Sequence, residues 1–223
     1  MIAPLSPAAR MARAQRVVVL AAVVLLVTVG GAGAQSALVA ELEEAAKTYH
    51  LDPPHLDRLR DGLERVAAGS PTVEDLIALA RVEFLWGEIR AASAADKLAA
   101  YDRGRQAAKR AVDQSPRNAR AHLWYGVTTG RFGQMRGIFS SLSLLATVKE
   151  EIRIVLELYP RLTPVYSLAG NLYYEAPRVL GGDLTKAEEM FRKGLEQDPH
   201  FTGLRVGLGK TLIRQGRLSE GRR

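Results

Sequence analysis

The sequence predicts an all-α fold made of helical hairpins repeated in tandem, an α-solenoid with insertions, behind an amino-terminal export segment. Three segments of helical periodicity each end at a proline, and a glycine follows each proline at the same distance. The pairs are Pro116 with Gly126, Pro160 with Gly170, and Pro199 with Gly209. A residue before proline is pushed out of the α region, so each proline closes one helix and separates it from the next.

The clearest unit runs from residue 163 to residue 217, and its side-chain sizes indicate two closely packed helices. Large and small residues share one face of each helix because they are mostly three or four positions apart. They are Tyr166, Ala169, Gly170 and Tyr173 on the first helix, and Ala187, Phe191, Gly194 and Leu195 on the second. This pattern is typical of tetratricopeptide repeats. The prolines recur at more than the roughly 34 residues of a standard unit, which indicates insertions between the paired helices.

Two segments carry a resemblance to a known family. The late segment has Gly181, Gly182 and Asp183 before its second helix, and then Ala187, Phe191 and Pro199; the less specific upstream segment has Trp124, Tyr125, Gly126 and Gly130. Across roughly residues 72–217 the chain resembles the TatT family of cell-envelope proteins. The resemblance implies a helical repeat fold with a ligand-accessible pore or groove, and association with a TRAP-type solute uptake system. The chain has no cysteine, so it departs from bacterial members that are lipid-anchored through a lipobox cysteine.

Residues 1–34 have the composition of a signal peptide. Arg10, Arg13 and Arg16 precede an apolar run, and no acidic residue occurs before Glu41. The run is short for a spanning helix, which needs about 20 residues, and small residues follow it as a signal peptidase requires. An uncleaved amino-terminal anchor is the alternative, and it is the one membrane contact that the sequence suggests. Either interpretation predicts an exported protein of the periplasm or cell envelope.

Behind this segment we expect an amino-terminal helical cap over residues 35–71 and a repeat domain over residues 72–223. The cap would cover the exposed end of the stack, as terminal units of solenoids must. An apolar, glycine-spaced insertion at residues 129–146 has two interpretations. It extends the first helix into a packed hydrophobic corner, or it forms a mobile lid over a groove, since insertions in repeat proteins gather on one binding face.

The candidate chemical motifs are weak, and we expect neither an enzyme nor a metal or cofactor site. The segment VGLGKT (206–211) resembles a phosphate-binding loop but lacks the required first glycine, since Leu204 stands there. His50 and His55 have two prolines between them and no third ligand nearby. The formal net charge of +7 includes the arginines of the export segment, and the remaining charges alternate in sign as on solvated helix faces. Nucleic acid is therefore not an expected partner.

The first helices of the repeats should line a concave surface, and their aromatic and polar residues are the candidates for binding a ligand or partner. These candidates are His122, Trp124, Tyr125, Tyr166, Tyr174 and Arg205. Among them Trp124 and Tyr174 are the best candidates for exposure, whereas Tyr166 is expected to be core. Such a surface suits an extended peptide or an apolar ligand with a polar end.

We therefore expect an exported binding protein or scaffold with tetratricopeptide-like repeats. In the TatT-like interpretation its partner is a periplasmic solute-binding protein or an envelope complex, and it also binds a hydrophobic small ligand. A general envelope scaffold that docks a protein segment is the alternative. An enzyme that uses residues 132–145 as a lid is a third hypothesis, which no catalytic constellation in the sequence supports.

Overall fold

The computed structural model describes residues 37–137 and 142–221, and the regular structure in those ranges is entirely helical. Residues 37–48 form α1, and the later helices are α2 (His55–Ala67), α3 (Val73–Ile89), α4 (Ala94–Gln114), α5 (Ala119–Arg136), α6 (Leu142–Leu158), α7 (Pro164–Glu175), α8 (Leu184–Gln197), α9 (Thr202–Arg214) and α10 (Leu218–Gly221). A 3₁₀ turn (Arg178–Leu180) lies between α7 and α8. Within the described residues, no helix is both long and apolar enough to cross a bilayer.

Polar residues fix where several helices begin. Thr72 accepts a hydrogen bond from the backbone of Asp75, whose side chain accepts one in return from the Thr72 backbone, which makes a complete capping box for α3. Ser93, Asn118 and Asp183 each accept backbone N–H groups in the first turn of α4, α5 and α8. These caps satisfy donors that have no partner within the helix. Short polar side chains therefore set the helix starts that the repeat register predicts.

The helices form successive antiparallel hairpins, as expected for tandem repeats. Helices α3 and α4, α5 and α6, and α7 and α8 form three pairs, and α9 packs against the short α10. The first helices of the pairs also contact one another in order, α3 with α5, α5 with α7, and α7 with α9. This side-by-side arrangement brings one face of each first helix to a common surface.

The glycine that follows each proline lies where the first helix of a pair crosses the second. A Cβ atom at these positions would lie 3.2 Å from Glu151 Cβ for Gly126, 2.5 Å from the Phe191 ring for Gly170, and 3.1 Å from the Gly221 carbonyl oxygen for Gly209. The Phe191 ring is also met by Gly207 of α9, where an added Cβ would approach to 2.4 Å. At Gly170 an added Cβ would overlap the Phe191 ring, and at Gly126 and Gly209 it would be closer than most Cβ contacts, so glycine eases each crossing and gives the repeated spacing a physical reason.

Two clusters of buried apolar residues form the core. The first joins α1 and α2 to α3, α4 and the start of α5, and Leu42, Leu56 and Leu63 are almost fully buried in it. The second lies among α5 to α9 around Val155 and Phe191. The predicted cap at residues 35–71 therefore shares one hydrophobic core with the first repeat where it is described; the domain division itself stays a prediction.

The described part of the 129–146 insertion is helical. Residues 129–136 continue α5, and residues 142–146 begin α6. Residues 138–141 lie outside the described ranges, so the choice between a packed corner and a lid stays open for the centre of the insertion. The predicted export segment, residues 1–34, also lies outside the described residues.

Candidate functional site

A large open groove runs along the face made by the first helices. Its cavity has a volume of about 770 Å³, within the roughly 300–1,000 Å³ range of small-ligand sites in proteins. Helices α5 and α7 supply most of its wall, with residues between Trp124 and Gly137 and between Pro164 and Glu175. Phe84 of α3 and three residues of α6 add to it, namely Leu144, Leu145 and Val148. The loops after α7 and α8 and the start of α9 complete it with Ala176, Pro177, Leu180, Phe201 and Gly203. Most of this wall is apolar.

Aromatic rings close one end of the groove. The centroids of Phe84 and Trp124 are 5.8 Å apart and their planes are tilted by 58°. The Arg131 guanidinium lies 5.8 Å from the Phe84 ring and 3.4 Å from the Glu88 carboxylate. This end therefore combines flat apolar surface with a cation whose charge is partly balanced.

Glycines leave room on the α5 side. Gly130 and Gly133 both line the cavity, and a Cβ atom at Gly130 would lie 3.8 Å from Val148 Cγ2, an ordinary contact distance. The helix crossing at Gly126 is tight, whereas an added Cβ at Gly130 makes only an ordinary contact. The groove is therefore wider because residue 130 has no side chain, although the fold would tolerate one there.

The loop at residues 176–183 forms the opposite wall, and the Gly181-Gly182 pair determines its shape. Gly181 has φ +93°, and a Cβ at Gly182 would lie 1.8 Å from the Ala176 carbonyl oxygen, so both positions require glycine. The Gly182 amide donates to the Pro177 carbonyl at 3.0 Å and the Asp183 amide donates to the Tyr173 carbonyl at 2.9 Å. Lys149 Nζ of α6 also donates to the Leu180 carbonyl at 3.1 Å. The loop is thus held by main-chain bonds and joined to α6.

Among the predicted binding residues, the structure places only Trp124 in the groove wall. Three of the others occupy equivalent positions, six residues after a proline, and each bonds to that proline's carbonyl oxygen. The distances are 2.9 Å for His122 Nε2 to Pro116, 2.9 Å for Tyr166 Oη to Pro160, and 2.8 Å for Arg205 Nε to Pro199. These side chains hold the turn between consecutive hairpins, a structural role that recurs with the repeat.

The two remaining candidates also pack elsewhere. Tyr125 is partly buried against the amino-terminal core cluster. Tyr174 is partly buried beneath the Arg214 guanidinium, 4.9 Å from its ring centroid, and its carbonyl accepts a bond from Arg214 Nη1 at 2.8 Å. The expectation that these rings line the groove is not what the structure shows, because helix rotation turns them toward neighbouring helices.

His122 also forms a buried pair with Glu151 of α6. The His122 Nδ1 and Glu151 Oε2 atoms are 2.6 Å apart, and both side chains are less than a tenth exposed. A carbonyl oxygen can only accept, so Nε2 carries a proton, and a further proton is shared between Nδ1 and the carboxylate. Burial raises the pKa of Glu151 above its usual range, although the hydrogen bond from His122 acts in the opposite direction. The pair ties α5 to α6 behind the groove.

A second buried carboxylate lies away from the groove. Glu83 of α3 is fully buried and accepts two bonds from Arg103 of α4, at 2.8 and 3.0 Å. Burial raises the pKa of Glu83 to about 7, against the opposing effect of Arg103. Arg60 lies 3.9 Å from the same carboxylate and 4.4 Å from the Trp86 ring centroid. This cluster joins α2, α3 and α4, and we assign it a structural role.

Sequence reasoning missed most of the groove wall on α7. Pro164, Ser167, Leu168, Asn171, Leu172 and Glu175 line it. They follow the three- and four-residue spacing of a second helical face, opposite the face that carries Ala169 and Gly170, so the periodicity could have identified them. Within the described residues, no group of three His, Cys, Asp or Glu side chains is placed to hold a metal ion.

The fold defines the class of protein: a helical scaffold of tetratricopeptide-like repeats with an open binding groove. A tetratricopeptide-repeat family model matches residues 180–223. A solved thermophilic tetratricopeptide-repeat protein of Thermus thermophilus has the same fold, with a TM-score of 0.62 and 19% identity over 81% of this chain and 84% of its own. The predicted helical repeat fold is therefore confirmed.

The chain belongs to the family described as regulator of microtubule dynamics protein 1-3, whose model matches residues 40–179. It is 26% identical to regulator of microtubule dynamics protein 2 of Macaca fascicularis over 121 residues, which are 51% of this chain and 30% of that protein. The human protein of the same name is 25% identical over 120 residues, 50% of this chain and 29% of its own length. The chain thus matches less than a third of these relatives. The TatT resemblance is confirmed only as far as degenerate tetratricopeptide repeats.

Proposed function

We propose that this chain is a non-catalytic binding protein whose groove holds an elongated, largely apolar ligand with a polar end. The observation that carries the proposal is the cavity of about 770 Å³, whose wall is mostly apolar. Gln134, Asn171 and Arg131 add polar groups to that wall, and apolar pockets with a few polar groups are the usual form of small-ligand sites. The tetratricopeptide-like fold supports binding as the activity.

Substitution of Gly130 tests this function directly. Gly130 lines the cavity, so we expect a leucine at this position to occupy part of the cavity, and because its Cβ makes only an ordinary contact with Val148, the fold should persist. We expect Gly130→Leu to weaken binding of cis-parinaric acid, a fluorescent fatty acid, at least tenfold, because the side chain occupies the ligand's space. Fluorescence titration gives the affinity, and circular dichroism checks the fold.

Gly69→Leu is the matched control, because Gly69 is exposed near the end of α2 and lies outside the groove wall. It should bind the fatty acid as the parent chain does. Equal affinity of the parent chain and Gly130→Leu would contradict the proposal, and so would an equal loss in both variants.

A protein segment is the second candidate for the same groove. The open form of the groove and the repeat architecture favour it, because such folds commonly present a concave surface to an extended partner. If the partner is a peptide, Gly130→Leu should abolish capture of that partner while the parent chain shows no affinity for the fatty acid.

The family and the export segment suggest different cellular settings. The relatives' name connects those proteins with microtubule dynamics, and this chain shares part of their sequence. Co-sedimentation with tubulin polymers tests whether this chain also binds microtubules.

The amino-terminal segment and the TatT resemblance support an exported protein beside a TRAP-type uptake system. Mass spectrometry of the amino terminus separates the two, since cleavage after residue 34 would place the chain outside the cytosol. Co-purification of a periplasmic solute-binding protein would then favour the transporter association.

A further inference from the structure

The rim of the groove carries exposed apolar side chains on both sides. One side, the α5–α6 lip, consists of residues 134–137 and 142–145; the other, the 177–180 lip, is the 3₁₀ turn with its preceding proline. Met135 and Leu142 on the first lip are 38% and 50% exposed, and Val179 on the second is 91% exposed. Met135 follows the wall residue Gln134, Leu142 lies two residues before Leu144, and Val179 precedes Leu180, so all three are close to the groove wall.

The exposure of Val179 follows from a well-defined backbone. Gly181 and Gly182 fix the turn, and Lys149 of α6 donates to the Leu180 carbonyl at 3.1 Å. Val179 on its own would be an ordinary surface residue, but together with Met135 and Leu142 it adds exposed apolar surface beside an apolar groove, and such surface rimmed by polar residues marks contact sites.

Arginines accompany these apolar side chains. Arg178 precedes Val179, is exposed, and has no ion-pair partner within residues 37–137 and 142–221. Arg136 follows Met135 and contacts the Phe132 ring at 5.5 Å, also without a carboxylate partner in the described part of the chain. Most other arginines of the described residues are paired with a carboxylate, as Arg153 and Arg217 are with glutamates. Glu175 is the acidic residue of the groove wall, so the two arginines leave the rim with a positive balance.

We propose that this rim docks onto an anionic lipid bilayer. Branched and flexible apolar side chains on the two lips would enter the boundary between headgroups and acyl chains, while Arg136 and Arg178 would contact the negative headgroups. Apolar insertion combined with basic residues is the ordinary physical basis of reversible membrane-surface binding. The formal net charge of +7, which is still +4 (7 − 3) without the three arginines of the export segment, adds long-range attraction to such a surface. The opening of the groove would then face the bilayer.

The chain lacks cysteine, which permits a site-specific test on the full chain. Val179→Cys is labelled with the environment-sensitive fluorophore NBD and mixed with vesicles of phosphatidylcholine and phosphatidylglycerol in a 7:3 ratio. We expect the emission to shift to shorter wavelength and to be quenched by doxyl-labelled lipid. Vesicles of phosphatidylcholine alone, or high salt, should reduce the response. Arg136→Gln and Arg178→Gln should each raise the lipid concentration for half-maximal change about fivefold.

Tyr159→Cys is the matched control. Tyr159 is 52% exposed and follows the carboxyl end of α6, whereas Leu142 begins that helix about 25 Å away. Its label should stay in water. This control also separates the rim from the amino-terminal apolar segment, which could bind vesicles without inserting position 179.

A label at position 179 that stays in water in the presence of vesicles overturns the proposal and leaves a protein as the partner of the rim. Equal insertion at positions 159 and 179 overturns it as well. The test needs no ligand in the groove, so its outcome is independent of the fatty-acid titration that tests the proposed function.

Discussion

At the residue scale, the register of the repeats is maintained by one hydrogen bond that three different side chains make. His122, Tyr166 and Arg205 have little in common except a donor that reaches back six residues to a proline carbonyl. Proline closes the preceding helix, and its carbonyl would lack a helical partner. This position therefore requires a side chain that is long enough to reach the proline carbonyl and that carries a hydrogen-bond donor.

Tyr166 provides the simplest test of this role. Tyr166→Phe removes only the hydroxyl that donates to the Pro160 carbonyl, while the ring stays packed in the core. We expect the free energy of unfolding to fall by about 1 kcal/mol, the usual net value of a hydrogen bond. Urea denaturation measures it. Tyr159→Phe, which alters an exposed ring, should change stability by less than about 0.5 kcal/mol, and equal effects in the two variants would contradict the assignment.

At the scale of elements, the loop between α7 and α8 depends on glycine more strongly than the helices do. An added Cβ at Gly182 meets the Ala176 carbonyl oxygen at 1.8 Å, which no side-chain rotation relieves because the obstacle is backbone. The same loop supplies Pro177 and Leu180 to the groove wall. Its shape therefore links a local steric requirement to the geometry of the site.

Gly182→Ala should displace this loop. We expect a loss of about 1–3 kcal/mol in the free energy of unfolding, the range for inserting atoms into a closely packed region, together with weaker binding of cis-parinaric acid. Chemical denaturation and fluorescence titration measure the two effects.

Gly130→Ala is the control, because its Cβ meets only Val148 at 3.8 Å. Its free energy of unfolding should be unchanged or higher by up to about 1 kcal/mol, since alanine favours the helix more than glycine does. A stable, fully binding Gly182→Ala would show that the loop adjusts freely.

At the scale of the whole molecule, the two core clusters divide the chain into an amino-terminal part, α1 to α4, and a carboxyl-terminal part, α6 to α9, with α5 between them. Repeat proteins are stabilised by the folding of each unit and by contacts between neighbours. The groove lies mostly on the second part. A substitution that destabilises the first core cluster should therefore destabilise the groove only in part.

Leu63→Ala tests this division. Leu63 is fully buried in the first cluster, and truncating a buried leucine typically costs about 2–5 kcal/mol. We expect faster amide hydrogen exchange in α1 to α4 than in α7 to α9, measured by mass spectrometry. Phe191→Ala should produce the reverse distribution. Uniformly faster exchange along the chain in both variants would mean that the molecule unfolds as a single cooperative unit.

The helical repeats could be predicted from local residue patterns. Their signals are local: a proline stops a helix in any context, a cap satisfies the nearest amides, and glycine spacing reports a close crossing. Gly126, Gly170 and Gly209 were predicted to share one register and do share one structural role. The local residue pattern is sufficient for such features because each depends on a few neighbouring residues.

The position of the groove depends on contacts between segments that are distant in the sequence. Helical periodicity gives two or more faces to each helix but does not say which face meets a neighbour and which meets solvent. Trp124 lies in the groove wall, whereas His122 and the buried Tyr166 bond to the preceding turn, and the α7 face with Asn171 and Leu168 was not among the predicted residues. The rotation of each helix is fixed by packing between distant segments, such as Phe191 between Gly170 and Gly207. That information is spread over the whole chain, so no single motif contains it.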